Sequence, residues 1–403
     1  MGINIWNFFQ GIYTFFLMSP QAAIARIFLI ALAILILYLS YKKVLEPLIM
    51  IPLGIAMLGV NGGLLIFQAG NIGTLFVDPL ASNADLLDQL QINFLQPIYT
   101  FTFSNGLIAA LVFMGIGAIT DIDFLLAKPF TSFFLAVFAE TGTLLTLPIA
   151  LSMGLLPNEA AATALVGGAD GPMVLFGSII LARDLFVPIT VVAYVYLSVC
   201  YAGYPVLARI IPKEQRAIEM NFREIPQVSP GAKFAFAVIA CAVLCLLFPV
   251  AAPLFASFFV GLAVKEAGIT RLTEFLSGPL LYGSTFFLGF TLGALLGVDV
   301  ILDPKVWLLL VLGIIALLLS GLGGIGGGLL WNVLFKKNKI NPLLGIAAVS
   351  CVPTTAKVAQ KCAYKVNKRC MILPFAMGPN VAGVITTAII TGAYIAGISF
   401  LGG

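Results

Sequence analysis

The stretch "GGADGPM", residues 167–173, lies inside an apolar segment that runs over 158–183. It sets one carboxylate, Asp170, among Gly167, Gly168, Gly171 and Pro172. Glycine gives up the most backbone entropy in a helix, and proline removes a donor and clashes with the preceding turn. The apolar run predicts a helix at membrane depth, and these residues predict that it breaks there. Lipid satisfies no backbone N–H or C=O, so an unwound stretch survives at that depth only inside protein or against a polar cavity. A charged acid in the same place costs about 3 kcal/mol or more unless it is matched. Unwound carbonyls and helix ends are ready ligands for a small ion, and Asp170 supplies the compensating charge. Sodium and the proton are the natural candidates, because calcium asks for more carboxylates than the region offers.

The remainder of the chain fits that setting. Of its 403 residues, 61% are hydrophobic and 9% charged. A water-facing surface needs far more charge than that. Apolar stretches long enough to cross a hydrocarbon core of about 30 Å recur throughout. Candidate spans are about 22–41, 44–60, 98–118, 129–151, 187–208, 232–250, 276–298, 306–331 and 371–399. The stretches 62–77 and 251–264 are shorter and read as spans or re-entrant pieces. The expected fold class is therefore an all-α polytopic membrane protein. The first apolar segment is too long for a signal-peptide core and lacks a small-residue cleavage site, so it is read as a retained helix. The net charge of +4 reflects loop bias and gives no nucleic-acid signal. Six cysteines without a CxxC pair, and no histidine anywhere, argue against a zinc or haem site. Lacking histidine, any acid–base chemistry falls to carboxylates, lysines, tyrosines or water.

Lysine and arginine place the loops. Arg209, Lys213, Arg216, Arg223 and Lys233 mark 209–233 as cytoplasmic. Lys336, Lys337 and Lys339 precede a second interrupted segment, 341–357, and Lys357, Lys361, Lys365, Lys368 and Arg369 follow it, so it is expected to enter from the cytoplasm and return. The flanks of 158–183 lack that basic excess and suit the outer side, as does the acidic stretch Asp78 to Asp88. A weak internal repeat pairs "GAITDIDFLLAKP" (117–129) with "GALLGVDVILDPK" (293–305), and "AATALVGG" (161–168) with "LGIAAVSC" (344–351). Two copies with oppositely charged flanks point to inverted-topology repeats with two broken or re-entrant helical hairpins, an architecture that puts its site at mid-membrane. The expected organisation is an N-terminal transmembrane helix (1–43), a first repeat (44–208) with hairpin 158–183, the cytoplasmic loop (209–233) and a second repeat (234–403) with hairpin 341–357.

The second interrupted segment reads "NPLLGIAAVSCVPTTAK" (341–357). Asn341 before Pro342 starts it, Gly345 allows close backbone approach, and Ser350 offers a hydroxyl oxygen where Pro353 should stop the helix. Asn341 and Ser350 also suit plain helix capping. Asn380, in "MGPNVAG" (377–383), is an amide beside Gly378 and Pro379 in an apolar span. Tyr194 and Tyr196 occupy the matching helix of the first half, each able to turn a hydroxyl inward. Glu140, in "FAETGTLLT" (138–146), is the other mid-span acid and, with Tyr194, a candidate for a proton path. "SGLGGIGGGLL" (320–330) lacks the GK[ST] ending of a phosphate loop and reads as a helix-packing surface.

Taken together, "GGADGP", "NPLLGIAAVS", "VPTTAKVAQ" and "MGPNVAGVI" resemble the beta subunit of the sodium-translocating biotin-dependent decarboxylases, which act on oxaloacetate, methylmalonyl-CoA, glutaconyl-CoA or malonate. The resemblance covers essentially the whole chain. It implies inverted repeats, two broken hairpins and a membrane subunit that couples decarboxylation of carboxybiotin to sodium export. By that resemblance the essential aspartate falls on Asp170, the functional tyrosine on Tyr196, and the asparagine, glycine and serine of the second hairpin on Asn341, Gly345 and Ser350. The asparagine of the GPN motif is Asn380. Sodium coordination would then involve Asp170, Asn380 and Ser350. One position departs from the pattern: "TTAKV" carries Lys357 where the family has arginine, which keeps the charge for carboxybiotin but loses a two-pronged grip on its carboxylate.

The resemblance also implies company in the bacterial inner membrane. The expected partners are a carboxyltransferase subunit that selects the acid, a biotin carrier subunit and a small membrane-anchored subunit, around a homotrimeric core. Carboxybiotin loses carbon dioxide once its ureido nitrogen is protonated, so sodium entering from the cytoplasm and displacing a proton near Asp170 or Tyr196 would link the two. Broken helices and Asp170 suit a stand-alone secondary transporter equally well, either a sodium/proton exchanger or a sodium-coupled anion carrier. The partner separates the two readings, since an exchanger works alone.

Overall fold

The structure is a computed structural model and describes residues 9–63, 65–67, 70–72, 77, 94–221 and 228–401. The acidic stretch Asp78 to Asp88 and Arg223 lie outside the described residues. Among the described residues, seven helices are long and apolar enough to cross a membrane: Pro20–Tyr41, Pro129–Ser152, Pro230–Leu247, Pro249–Glu266, Thr270–Leu295, Pro304–Leu334 and Leu373–Ile398. Counting two bent pairs, Gln96–Phe103 with Leu107–Ile119 and Arg183–Tyr196 with Cys200–Ile210, makes nine. The protein is thus an all-α polytopic membrane protein. The short stretch 251–264 proves to be part of one of these helices. Within 62–77 the described residues form a small antiparallel hairpin, with Leu65 opposite Ile72, in place of a span or re-entrant helix.

The chain forms two compact units, each assembled from two separate stretches. The first takes residues 1–108 and 283–308. Its helix Pro20–Tyr41 starts at a Ser19 cap with proline at the first helical position, which leaves no orphan N–H there. Arg26 is fully buried in this unit. It answers the apolar surroundings with carbonyls: Nε donates to Asn61 O at 2.5 Å, and Nη2 donates to Gly62 O at 3.1 Å and Gly11 O at 3.0 Å. Asn61 O and Gly62 O are the unpaired carbonyls at the end of helix Pro47–Gly62, so the guanidinium caps that helix and complements its dipole.

The second unit takes residues 109–282 and 309–403 and holds both interrupted segments. Around them stand Pro129–Ser152, Phe186–Leu207, the part of Pro304–Leu334 from 309 onward, and Leu373–Leu401. Glycine lets these helices touch backbone to backbone. A Cβ added at Gly345 would lie 1.8 Å from Gly324 O, and one added at Gly383 would lie 2.1 Å from Ala348 O. The glycine-rich stretch 320–330 is therefore a packing surface, the usual way membrane helices gain contact without a hydrophobic drive between them.

Candidate functional site

The first interrupted segment is a helix, a break and a helix. Pro157–Ala164 starts with Leu156 N donating to the Glu159 carboxylate at 3.2 Å. It tightens over Leu165–Gly168, and Ala169 then takes the left-handed conformation at φ +55°. Asp170 caps the next helix, Gly171–Leu181, with Oδ1 accepting from Met173 N at 3.2 Å. Its other oxygen, Oδ2, is buried without a partner. The glycines and the proline at the first turn do what their chemistry demands: they end one helix and start another around the acid.

The second segment has helix Leu343–Ala347, a non-helical stretch 348–353, and helix Thr354–Val366. The two breaks meet. Ser350 donates to Gly168 O twice, from its backbone N at 3.2 Å and from Oγ at 2.5 Å. Ser350 Oγ also lies 2.7 Å from Thr387 Oγ1, and Thr387 in turn donates to Glu140 Oε1. Glu140 Oε2 accepts from Thr143 Oγ1 at 2.6 Å. Gly167 O, beside the crossing, accepts from Ser320 Oγ at 2.6 Å.

Asn380 holds the second break from the C-terminal helix. Its Nδ2 donates to Ala347 O at 2.7 Å, Val349 O at 3.1 Å and Thr355 Oγ1 at 3.0 Å. Two carbonyl acceptors fix the amide's orientation and leave Oδ1 as the free oxygen, buried and unpartnered. Tyr194 covers the first break: a Cβ added at Gly171 would sit 2.5 Å from its ring, and its hydroxyl is also buried and unpartnered. Asp170, Asn380 and Tyr194 thus present three free oxygens on elements bound to one Gly168–Ser350 contact.

Other expected residues go elsewhere. Tyr196 donates its hydroxyl to Leu310 O at 2.7 Å and packs on Gly313. Asn341 donates from Nδ2 to Arg216 O at 2.9 Å and Ile218 O at 3.0 Å, while its Oδ1 accepts from Leu343 N at 3.1 Å. That amide ties the loop after Phe186–Leu207 to the start of the second segment. Gly345 serves the backbone contact with Gly324. Lys357 is exposed on helix Thr354–Val366, and Lys361 and Lys365 follow it at four-residue steps on the same exposed face.

Thr387, Thr143 and Ser320 were missed by sequence reasoning. A signal existed for the first two: Thr387, Thr391 and Tyr394 recur at helical spacing, as do Glu140 and Thr143, forming polar stripes on apolar helices.

Residues 25–398 match the family model of the Na+-transporting oxaloacetate decarboxylase beta subunit. The chain belongs to that family. It is 53% identical to the carboxybiotin decarboxylase of Malonomonas rubra, over 99% of both chains. It is 33% identical to the methylmalonyl-CoA decarboxylase subunit beta of Propionigenium modestum, covering 92% of this chain and 94% of that one. It is 32% identical to the oxaloacetate decarboxylase beta chain 2 of Salmonella typhi, covering 91% and 94%. This beta subunit is accordingly a multi-pass bacterial membrane protein and one component of a multi-subunit, biotin-dependent decarboxylase sodium pump.

Proposed function

We propose that in this beta subunit the crossing of the two breaks is where sodium passes, and that its movement is coupled to decarboxylation of carboxybiotin delivered by a biotin carrier subunit. The single observation that carries this reading is the set of three buried, unpartnered oxygens: Asp170 Oδ2, Asn380 Oδ1 and Tyr194 Oη. Buried polar atoms in a folded protein are almost always bonded, so orphans at the two breaks and on the helices packed against them ask for a ligand. All three are oxygens, the donors a hard monovalent cation prefers. Ser350 Oγ and the Gly168 carbonyl extend the same set. Inverted repeats, with the first segment entering from outside and the second from the cytoplasm, would give the alternating access that export needs.

Lys357 heads the exposed row of lysines, where its charge would attract the carboxylate of carboxybiotin. Glu140 and Tyr194 would carry the proton that the decarboxylation consumes. The complex would further hold a carboxyltransferase subunit, a small membrane-anchored subunit and three copies of this chain.

Asp170 tests the reading. Asp170→Asn keeps the shape and an oxygen but loses the charge that compensates the ion. It is expected to abolish sodium-dependent decarboxylation in the assembled complex, whereas Asp170→Glu retains a little at a raised sodium requirement. Expression should stay near normal in both, since neutralising a buried acid seldom harms a fold. Sodium should raise the melting temperature of the wild-type chain and not that of Asp170→Asn, because only a ligand that binds the folded state stabilises it. A wild-type sodium response in Asp170→Asn would make the break purely structural.

A further inference from the structure

The hydroxyl chain that leads from Glu140 to the crossing contains more contacts than hydrogens. Four oxygen–oxygen contacts run in series: Thr143 Oγ1 to Glu140 Oε2, Glu140 Oε1 to Thr387 Oγ1, Thr387 Oγ1 to Ser350 Oγ, and Ser350 Oγ to Gly168 O. Each hydroxyl owns a single hydrogen, and three hydroxyls take part. If Glu140 is ionised, Thr143 and Thr387 both donate to it. Ser350 then has to choose between Thr387 and Gly168, and one contact is left as oxygen against oxygen. If Glu140 carries a proton on Oε1, each of the four contacts of the series is served, and Thr387 Oγ1 gives up only its further contact, to Gly383 O at 3.0 Å on its own helix. Glu140 donates to Thr387, Thr387 to Ser350, and Ser350 to Gly168 O, while Thr143 donates to Oε2. The four contacts formed together therefore correspond to a chain with one added proton.

That chain is directional, and reversing it changes the crossing. When the proton leaves Glu140, the Thr387 hydrogen swings to the carboxylate. Ser350 then donates toward Thr387, because hydrogen bonds that point in sequence at a charge reinforce one another. Gly168 O loses its hydroxyl donor and keeps only the Ser350 N–H, at 3.2 Å. Its lone pair, two residues from Asp170, becomes free for a cation.

Among the described residues, no lysine or arginine pairs with Glu140. Lys233 pairs with Asp123, and Lys265 with Glu266. The titratable groups that face Glu140 are Asp170 at the first break, Tyr394 on the C-terminal helix and Tyr204 on Phe186–Leu207. The neighbouring helix Pro304–Leu334 contributes the uncharged Ser320.

We propose that Glu140 holds the proton that sodium displaces, and that Thr387 and Ser350 pass its state to the Gly168 carbonyl, so that the crossing carries a proton on Glu140 or a sodium ion but not both. The exchange balances: one O–H bond of the Glu140 carboxyl breaks, the proton leaves to solution, and one sodium ion restores the positive charge. This rests on the reading of the crossing as the sodium site. It goes beyond that reading in making proton and sodium exclude each other and in naming Thr387 and Ser350 as the relay between Glu140 and the crossing.

The experiment counts protons. Sodium chloride is added to the full-length chain in detergent, in weakly buffered solution with a pH-indicator dye, and choline chloride serves as control. Wild type should release protons on sodium addition, and Glu140→Gln about one fewer per bound ion, since its amide donates to Thr387 permanently. The pH dependence of half-saturating sodium, read from melting temperatures, should flatten by up to about tenfold per pH unit in Glu140→Gln. Thr387→Val, which cuts the relay and leaves the carboxyl in place, should also flatten it, and Thr387→Ser should restore it. Wild-type proton release by Glu140→Gln, or a wild-type pH slope in Thr387→Val, overturns the proposal, and so does a wild-type chain that releases none. Failure of the Asp170 reading looks different, because there Asp170→Asn keeps its sodium response whatever Glu140→Gln does.

Discussion

Two tyrosines two residues apart on one helix show how much hangs on one hydrogen bond. Tyr196 spends its hydroxyl on Leu310 O at 2.7 Å, whereas the Tyr194 hydroxyl is buried beside the first break with no partner. An unmade bond of a buried hydroxyl costs about 1–3 kcal/mol, and a made one contributes about 1 kcal/mol. Tyr196→Phe should therefore lower the stability of the chain by about 1 kcal/mol and leave half-saturating sodium unchanged. Tyr194→Phe should leave stability equal or higher and raise half-saturating sodium several-fold, because it removes an oxygen offered to the ion. Melting curves with and without sodium measure both effects. The opposite pattern would assign the functional hydroxyl to Tyr196, where the family resemblance puts it. Asn341 is a similar case at the residue scale: its amide is fully occupied in tying Arg216 and Ile218 to the second segment.

At the scale of elements, the second broken segment is held by backbone as much as by side chains. Gly345 lies so close to Gly324 that an added Cβ would come within 1.8 Å of a carbonyl oxygen. Neither partner is a flexible side chain, so helix Leu343–Ala347 would have to move away from Pro304–Leu334. Overpacking of this kind costs about 3 kcal/mol. Gly345→Ala and Gly324→Ala should each lower the melting temperature. The double variant should cost less than their sum, since both changes open the same contact. A Gly345→Ala chain of normal stability that has lost only its sodium affinity would instead make this glycine's own backbone part of the ion site. The breaks were legible in the sequence because glycine and proline disrupt helices whatever surrounds them. The meeting of the two breaks at Gly168 and Ser350 was not, since no local propensity encodes a contact between residues 182 apart.

For the whole molecule the open question of arrangement is topology. If the repeats are inverted, the two broken segments are reached from opposite faces. Met153, just before the first segment, and Lys361, on the helix that follows the second break, are both exposed. In a background without the six native cysteines, Met153→Cys should react with an impermeant thiol reagent from outside and Lys361→Cys only from the cytoplasm. Reaction of both from one face would remove the inverted arrangement. The division of the chain into 1–108 with 283–308 and 109–282 with 309–403 could not be read from composition, because each unit is built from two stretches distant in sequence.

The sequence by itself determined the membrane class, the approximate spans, the two interruptions and the placing of an acid, Asp170, at the first of them. Each follows from a local property: the length of an apolar run, the conformational limits of glycine and proline, and the expense of a charge in hydrocarbon. Only the tertiary structure decided which polar side chains share the crossing. It brought Ser350 and Asn380 there with Asp170, set Tyr194 over Gly171, and added Thr387 and Glu140 through a chain of hydroxyls. It committed Tyr196 and Asn341 to backbone carbonyls elsewhere. The physical reason is that lipid and protein interior are both apolar. A membrane helix therefore carries little hydrophobic periodicity to say which face turns inward, and the partners of a polar group are fixed by packing alone.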